Sequence, residues 1–171
     1  IAVIGASADA AKAGSQALLS LRNFSGKVMG VHPRETALHG YPCYPDVESL
    51  PEAVDLAILA IPAANCIDVV ARLAKRGAGG VFIISGGFGE TGEAGAKLET
   101  ELAAICASTG IRLLGPNTSG FVAPNVPLIA SFVPGVEQLK PGRVAVIAQS
   151  GGVNLSLAFL LERLGEGVAL A

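Results

Sequence analysis

The 171 residues are enough for one large domain, or for one domain and part of another. With 51% hydrophobic and 15% charged residues, the chain is built to bury a core, which excludes a disordered protein. A formal net charge of -2, with no stripe of Lys and Arg, excludes a nucleic-acid footprint.

Short apolar runs alternate with helical patterns, which predicts an α/β fold on a largely parallel sheet. The first strand is expected at Ile1–Ile4, the second at Lys27–Val31 and the third at Asp55–Ile61. The fourth and fifth are expected at Gly80–Ile84 and Ile111–Leu114. These runs are continuously apolar, as in strands covered on both faces. Helices fall between them as crossovers. Ala17, Leu21 and Phe24 share one helix face; Ile67, Val70, Ala71 and Ala74 share another; Leu98, Leu102, Ile105 and Cys106 a third.

From Val122 to Gly142 the chain turns rich in Pro and Gly. Residues 1–124 are therefore expected as the first domain, and 125–142 as a linker with one short strand near Leu128–Val133. A new unit starts at 143, with a strand over Arg143–Gln149 and a helix after Ser150-Gly151-Gly152. The apolar face expected for that helix is Val153, Leu157, Leu160, Leu161 and Leu164. Gly167–Ala171 begins another strand, so 143–171 reads as a second α/β domain cut short. The chain opens on Ile1 and not Met, and further chain is expected before it.

No apolar run reaches the roughly 18 residues that cross a bilayer, and no signal peptide is visible. Cys43, Cys66 and Cys106 are odd in number and far apart, which suggests neither a disulfide framework nor a zinc site. Buried thiols in a reducing cytoplasm are the expectation.

Four glycine- and serine-rich turns carry the candidate chemistry. Gly5-Ala6-Ser7 follows the first strand, where α/β sheets bind ligands and where a helix start presents N–H groups to phosphate. The dinucleotide fingerprint G-x-G-x-x-G is absent, since the next glycine after Gly5 is Gly14. The second strand ends His32-Pro33-Arg34 and lacks the acid that a nicotinamide cofactor's ribose requires. Arg34 offers a planar, permanent cation for a phosphate, and Lys12 a second. Coenzyme A, with its 3′-phosphate and diphosphate, suits this set better than NAD, while NADP stays chemically open.

The second turn is Ile84-Ser85-Gly86-Gly87-Phe88-Gly89-Glu90-Thr91-Gly92, whose glycines permit close ligand approach. The third is Gly115-Pro116-Asn117-Thr118-Ser119-Gly120, in which Asn117 and nearby amides suit an oxyanion or acyl group. In the fourth, Gln149-Ser150-Gly151-Gly152, Ser150 is a natural helix N-cap in front of another phosphate cradle. His32 and His39 show no triad or metal spacing and are expected at the surface or at the substrate's edge.

The stretches VIGAS (with Lys12 and Gly14), VHPRETALHGYPCYPDVESLP, DLAILAIPA, ISGGFGETG, LLGPNTSGF and GRVAVIAQSGG follow one another over nearly the whole chain. Together they resemble the CoA-binding and ligase modules of the NDP-forming acyl-CoA synthetases. That group includes succinyl-CoA synthetase α subunits, ADP-forming acetyl-CoA synthetases and lysine acetyltransferases that carry the same module. The resemblance implies a Rossmann-like CoA-binding domain followed by the start of a flavodoxin-like ligase domain. It implies CoA at Gly5, Ala6, Ser7, Lys12, Pro33, Arg34, Pro62, Ile84, Ser85 and Gly86. It implies an acyl-phosphate site at Asn117, Ser150 and Gly151, and no metal on this segment.

The implied reaction makes acyl-CoA, NDP and phosphate from an acid, CoA and NTP, through an acyl phosphate and a phosphohistidine. Neither His32 nor His39 matches the phosphohistidine, and the ATP-grasp module that holds nucleotide and Mg is absent. Thr118 stands where members often carry Cys. The expectation is a cytoplasmic CoA-binding portion that is inactive without an ATP-grasp domain or subunit. Its small partner would be a carboxylic acid or acyl-CoA, and a homo-oligomer is left open. The competing readings are a stand-alone CoA-binding regulator, the module of a lysine acetyltransferase, and an NAD(P)-dependent oxidoreductase.

Overall fold

A computed structural model describes residues 1–171. Strand β1 is Ala2–Ile4, helix α1 Ala13–Ser20, β2 Met29–Val31, β3 Ala37–Leu38, β4 Tyr41–Tyr44 and β5 Leu56–Leu59. Helix α2 is Ala63–Lys75, β6 Gly80–Ile83, α3 Glu93–Thr109 and β7 Arg112–Leu114. Then come β8 Gly120–Ala123, β9 Leu128–Ser131, β10 Pro141–Ala145, α4 Gly151–Arg163 and β11 Val168–Leu170.

Seven strands form one sheet in the order β3-β4-β2-β1-β5-β6-β7. All neighbours are parallel except the edge pair β3–β4. The five expected strands are all present. Their apolar continuity has a simple cause, because successive residues feed two cores. Ala2, Ile4, Ala57, Leu59, Val81 and Ile83 pack under Val70 and Leu73 of α2 and Leu102 of α3. Val3, Ile58, Phe82 and Ile84 pack under Leu18 of α1 and the following Leu21. Nearly every residue of β1, β5 and β6 is thus buried whichever way its side chain points, while β7 at the sheet edge is half-buried to exposed.

The chain leaves β1 to build β2 and β4 on one side, then returns to build β5, β6 and β7 on the other. The order reverses between β1 and β5, and the crevice at their carboxyl ends is the place where such sheets bind ligands.

Several expectations are corrected. On α2 the buried face is Cys66, Val70 and Leu73, and Ala71 is exposed. The second unit's strand runs over Pro141–Ala145 and not Arg143–Gln149. Its pairing with β11 shifts register twice, so Ile147 leaves the sheet and is 88% exposed. The largest change is on α4. Val153, Leu157, Leu160 and Leu164 are all at least 44% exposed, while Asn154 and Ala158 face inward. Only Leu161 of the expected face packs against the core. A helix with apolar residues on every side has no single stripe to read.

The short strand expected near Leu128–Val133 is β9, and it pairs antiparallel with β8, just before the expected linker, as a ribbon. Cys43, Cys66 and Cys106 are free thiols. No helix is long and apolar enough to cross a membrane.

Candidate functional site

The loop after β1 is pinned from three sides. Gly5 has φ +84, and a Cβ there would lie 2.5 Å from the Ala60 carbonyl oxygen, so only glycine fits between β1 and β5. Gly14 lets α1 press onto this loop, since its Cβ would fall 2.0 Å from the Gly5 carbonyl oxygen. The Gly5 and Ala6 N–H groups both donate to the Val31 carbonyl, at 3.2 Å. The Ser7 hydroxyl accepts the Asp9 N–H at 3.1 Å, and Asp9 accepts the Ala11 N–H at 3.0 Å. Between Gly5 and Lys12 the N–H groups of Ser7, Ala8 and Ala10 are left without a partner in the chain. Gly5 and Ala6 shape the turn, and the two residues after them present the donors.

Lys12 occupies the N-cap position of α1, and Arg34 lies in the turn after β2; both are exposed. Neither side chain makes an ion pair or hydrogen bond within the chain. The Arg34 turn itself is fixed by His32, whose Nδ1 accepts the Arg34 N–H at 3.3 Å and the Glu35 N–H at 3.0 Å. Pro33 is exposed in the same turn, and Pro62 is the N-cap of α2.

The glycine-rich loop after β6 continues the same edge. The Ile84 side chain is buried and its N–H is taken by Leu59, so it is a core residue. The Ser85 hydroxyl donates to the Ile61 carbonyl, which ties this loop to the end of β5. The Ser85 and Gly86 N–H groups have no partner in the chain. The Ser85 carbonyl accepts the Asn117 N–H at 3.1 Å, which draws the third turn against the second.

Gly86 lies between two side chains, as a Cβ there would be 2.8 Å from Glu90 Oε1 and 3.4 Å from Asn117 Oδ1. Glu90 accepts the Gly87 N–H at 2.5 Å, and this hydrogen bond holds its carboxyl below the usual range. Glu99 on α3 accepts the Gly89 N–H at 3.0 Å.

The fourth turn completes the arrangement. The Ser150 hydroxyl accepts the Val153 N–H at 3.4 Å and caps α4. A Cβ on Gly151 would lie 2.7 Å from Ser119 Oγ, so the start of α4 abuts the third turn. One cavity of about 470 Å³ is lined by Glu90, Glu99, Asn117, Thr118, Gln149 and Gly151. A second, of about 320 Å³, lies on the other side of Thr118 and Ser119 and reaches Asn154, whose buried Oδ1 has no partner.

The second, third and fourth turns thus share one space, which the sequence does not place. Gly5–Ser7, Lys12 and Arg34 do not line it; they sit farther along the sheet edge. Glu99 had no local signal, since it is an ordinary helix glutamate until the fold sets it beside Gly89. Another concavity, of about 510 Å³, lies between Ile1, Lys27, Glu52 and Leu56 at the opposite edge of the sheet. It gathers none of the four glycine- and serine-rich turns.

Residues 1–124 match the family described as the CoA binding domain. The chain belongs to that family. This CoA-binding chain is 39% identical, over 98% of its length, to an ADP-forming acetate–CoA ligase I of Archaeoglobus fulgidus, of which it spans 24%. It is 41% identical over 96% of its length to a trans-feruloyl-CoA synthase from an unknown prokaryotic organism, again spanning 24%. A solved structure of dinucleotide-forming acetyl-coenzyme A synthetase 1 of Ca. Korarchaeum cryptofilum, in complex with phosphate and ADP, superposes with a TM-score of 0.91 at 35% identity. That match covers 99% of this chain and 36% of that one. The CoA-binding chain therefore spans between about a quarter and two-fifths of these relatives. The matches favour neither an oxidoreductase nor a stand-alone regulator.

Proposed function

We propose that the chain is the CoA-binding portion of an NDP-forming acyl-CoA synthetase, acting with an ATP-grasp domain or subunit that holds nucleotide and Mg. The observation that carries the reading is the layout of the sheet's carboxyl edge. Unpaired N–H groups of Ser7 and Ala8, with two unengaged cations, lead along the edge to a cavity closed by Asn117 and the start of α4.

In this reading Arg34 and Lys12 take the phosphates of CoA. Their charges are unspent within the chain, so a phosphate gains them without breaking another contact. The Ser7 and Ala8 amides add neutral donors where the sheet order reverses. The pantetheine arm runs past Pro62 and the Ser85 and Gly86 amides toward the cavity. There the thiol meets an acyl phosphate seated by Asn117, Ser150 and Gly151. Attack of the thiol sulfur on the acyl carbon forms the thioester and breaks the bond to phosphate oxygen. Donors from Asn117 and the first turn of α4 would stabilise the oxyanion and the departing phosphate.

The acid is a small carboxylic acid, and the phosphohistidine and the NTP belong to the partner module.

Calorimetric titration with CoA, dephospho-CoA, NAD and NADP tests the reading. CoA should bind most tightly, and dephospho-CoA should lose a large part of that affinity. Equal or tighter binding of NAD or NADP would refute it. The chain alone, given acetate, ATP and CoA, should form no thioester.

A further inference from the structure

A histidine from a neighbouring hairpin reaches into the loop after β1. His39 and Gly40 form the two-residue turn between β3 and β4, with φ values of 51° and 87°. This is the backbone of a tight hairpin with both turn residues left-handed. It aims the imidazole back across the sheet edge. His39 Nε2 lies 3.1 Å from the Ser7 carbonyl oxygen and 2.8 Å from Ser15 Oγ on α1. Ser15 is fully buried, so the ring is anchored on a fixed partner.

A carbonyl oxygen only accepts, so the contact is a hydrogen bond in the tautomer with the proton on Nε2, where Ser15 Oγ accepts from the same N–H. The Ser7 carbonyl and the Ala8 N–H belong to the same planar trans peptide unit and point in opposite directions. Holding the oxygen against His39 therefore turns the Ala8 N–H outward. That N–H has no partner in the chain. The loop's own turns do not fix this peptide, because Ser7 and Asp9 engage only the N–H groups of Asp9 and Ala11. Ala8 itself is exposed, and no packing holds it.

We propose that His39 is the positioning residue that sets the Ala8 peptide, and with it an amide donor for a phosphate group of CoA. The inference rests on the reading of this edge as the CoA site. His39 touches no ligand in this role; it acts through the peptide. It also ties the hairpin that follows the Arg34 turn to the loop beside Lys12, so that the two cations are held in one frame.

The test uses His39→Gly and His39→Gln in the chain. Glycine accepts the left-handed turn, so the first change removes only the side chain. Glutamine returns an N–H donor of similar reach. CoA affinity is measured by calorimetry, folding by the thermal midpoint, and the Ala8 amide by ¹H–¹⁵N spectra during titration with CoA. Wild type should bind CoA and shift the Ala8 resonance. H39G should weaken CoA about tenfold, as expected for one misdirected hydrogen bond, and its Ala8 resonance should respond little. H39Q should recover most of the affinity, and added imidazole should recover part of it in H39G.

H39G binding CoA as tightly as wild type would overturn the inference while leaving the CoA site intact. So would a loss that neither glutamine nor imidazole restores, or an Ala8 resonance indifferent to CoA in a wild type that binds it. A wild type that bound no CoA would remove the underlying reading, and this one with it.

Discussion

Truncating Arg34 to Ala isolates the charge term in ligand binding from everything else the chain does. The guanidinium is exposed and engages no carboxylate or carbonyl, while its backbone N–H is the group that His32 accepts. Removal of the side chain leaves that turn intact. The cost to folding should stay within about 0.5 kcal/mol, as for surface changes away from special features. A hydrogen bond to a charged group is worth about 1.5–3 kcal/mol. In Kd that is about 10- to 150-fold.

The decisive assay is a cycle of wild type and R34A against CoA and dephospho-CoA by calorimetry. If Arg34 holds the 3′-phosphate, R34A weakens CoA by that amount and leaves dephospho-CoA nearly unchanged. The preference for CoA then collapses. Should R34A weaken both ligands equally, Arg34 would serve the diphosphate or the general field and not the 3′-phosphate. Should it weaken neither, the unspent cation after β2 would have no part in binding, and the electrostatic half of the proposed site would fail.

Gly14→Ala should destabilise the chain by about 1–3 kcal/mol and distort the Ser7 loop, because the new methyl meets the Gly5 backbone and not a movable side chain. A thermal midpoint equal to wild type would show that α1 can retreat. Glu48, doubly hydrogen-bonded by Arg72 in the last turn of α2, has its carboxyl lowered from 4.5 to about 2. Its stabilising effect is therefore present above pH 4.5 and lost as the pH falls through about 2. The thermal midpoint of Glu48→Gln should lie below wild type at pH 6 and meet it near pH 2; a gap unchanged at low pH refutes the pairing. Cys66 is fully buried, and burial pushes its thiol up to about 11. It should resist thiol reagents at pH 7.5 until the chain unfolds.

How far the sequence leads depends on how local each signal is. Strands β1, β2, β5 and β6 are legible because both faces are covered, so their residues are small or apolar; β7, at the sheet edge, is legible from Ile111, Leu113 and Leu114 despite the exposed Arg112. Strands β3 and β4 are not legible, since Pro42 and Pro45 argue against a strand and Pro42 cannot donate to a ladder. The structure accommodates Pro42 opposite Ala37 in the short antiparallel pair, and the next residue, Cys43, donates to Thr36.

The turns at the carboxyl edge stand out as small residues between apolar runs. What they contribute depends on pairings made elsewhere. Val31 takes the Gly5 and Ala6 amides, and His39 takes the Ser7 carbonyl. Neither contact leaves a trace in the spacing of VIGAS. The inward face of α4 fails for the opposite reason. Its apolar residues surround the helix, and only the position of β11 and the β8–β9 ribbon selects Ala158.

That ribbon, one of three sheets, explains how the seven-stranded sheet and the β10–β11 unit are held in register. Along β9 and just beyond it, Leu128, Ala130 and Phe132 pack into the core under α1, while Ile129 and Val133 pack into the core of the second unit. On β8, Phe121 and Val122 divide in the same way. The two-residue period of a strand thus sends alternate side chains into two different cores. Polar contacts follow the same path. Ser20 at the end of α1 donates to the Ser131 carbonyl, and the Ser131 hydroxyl donates to the Ser119 carbonyl at 2.7 Å. Ser119 in turn abuts Gly151 at the start of α4. The helix that begins beside Lys12 and the helix capped by Ser150 are therefore braced against one another through a single strand. Because side chains from both faces of the ribbon are buried, a shift of either unit would have to strip apolar contacts from the other. The distance from the Lys12 end of the edge to the cavity beside Asn117 is set by packing and not by the length of a linker.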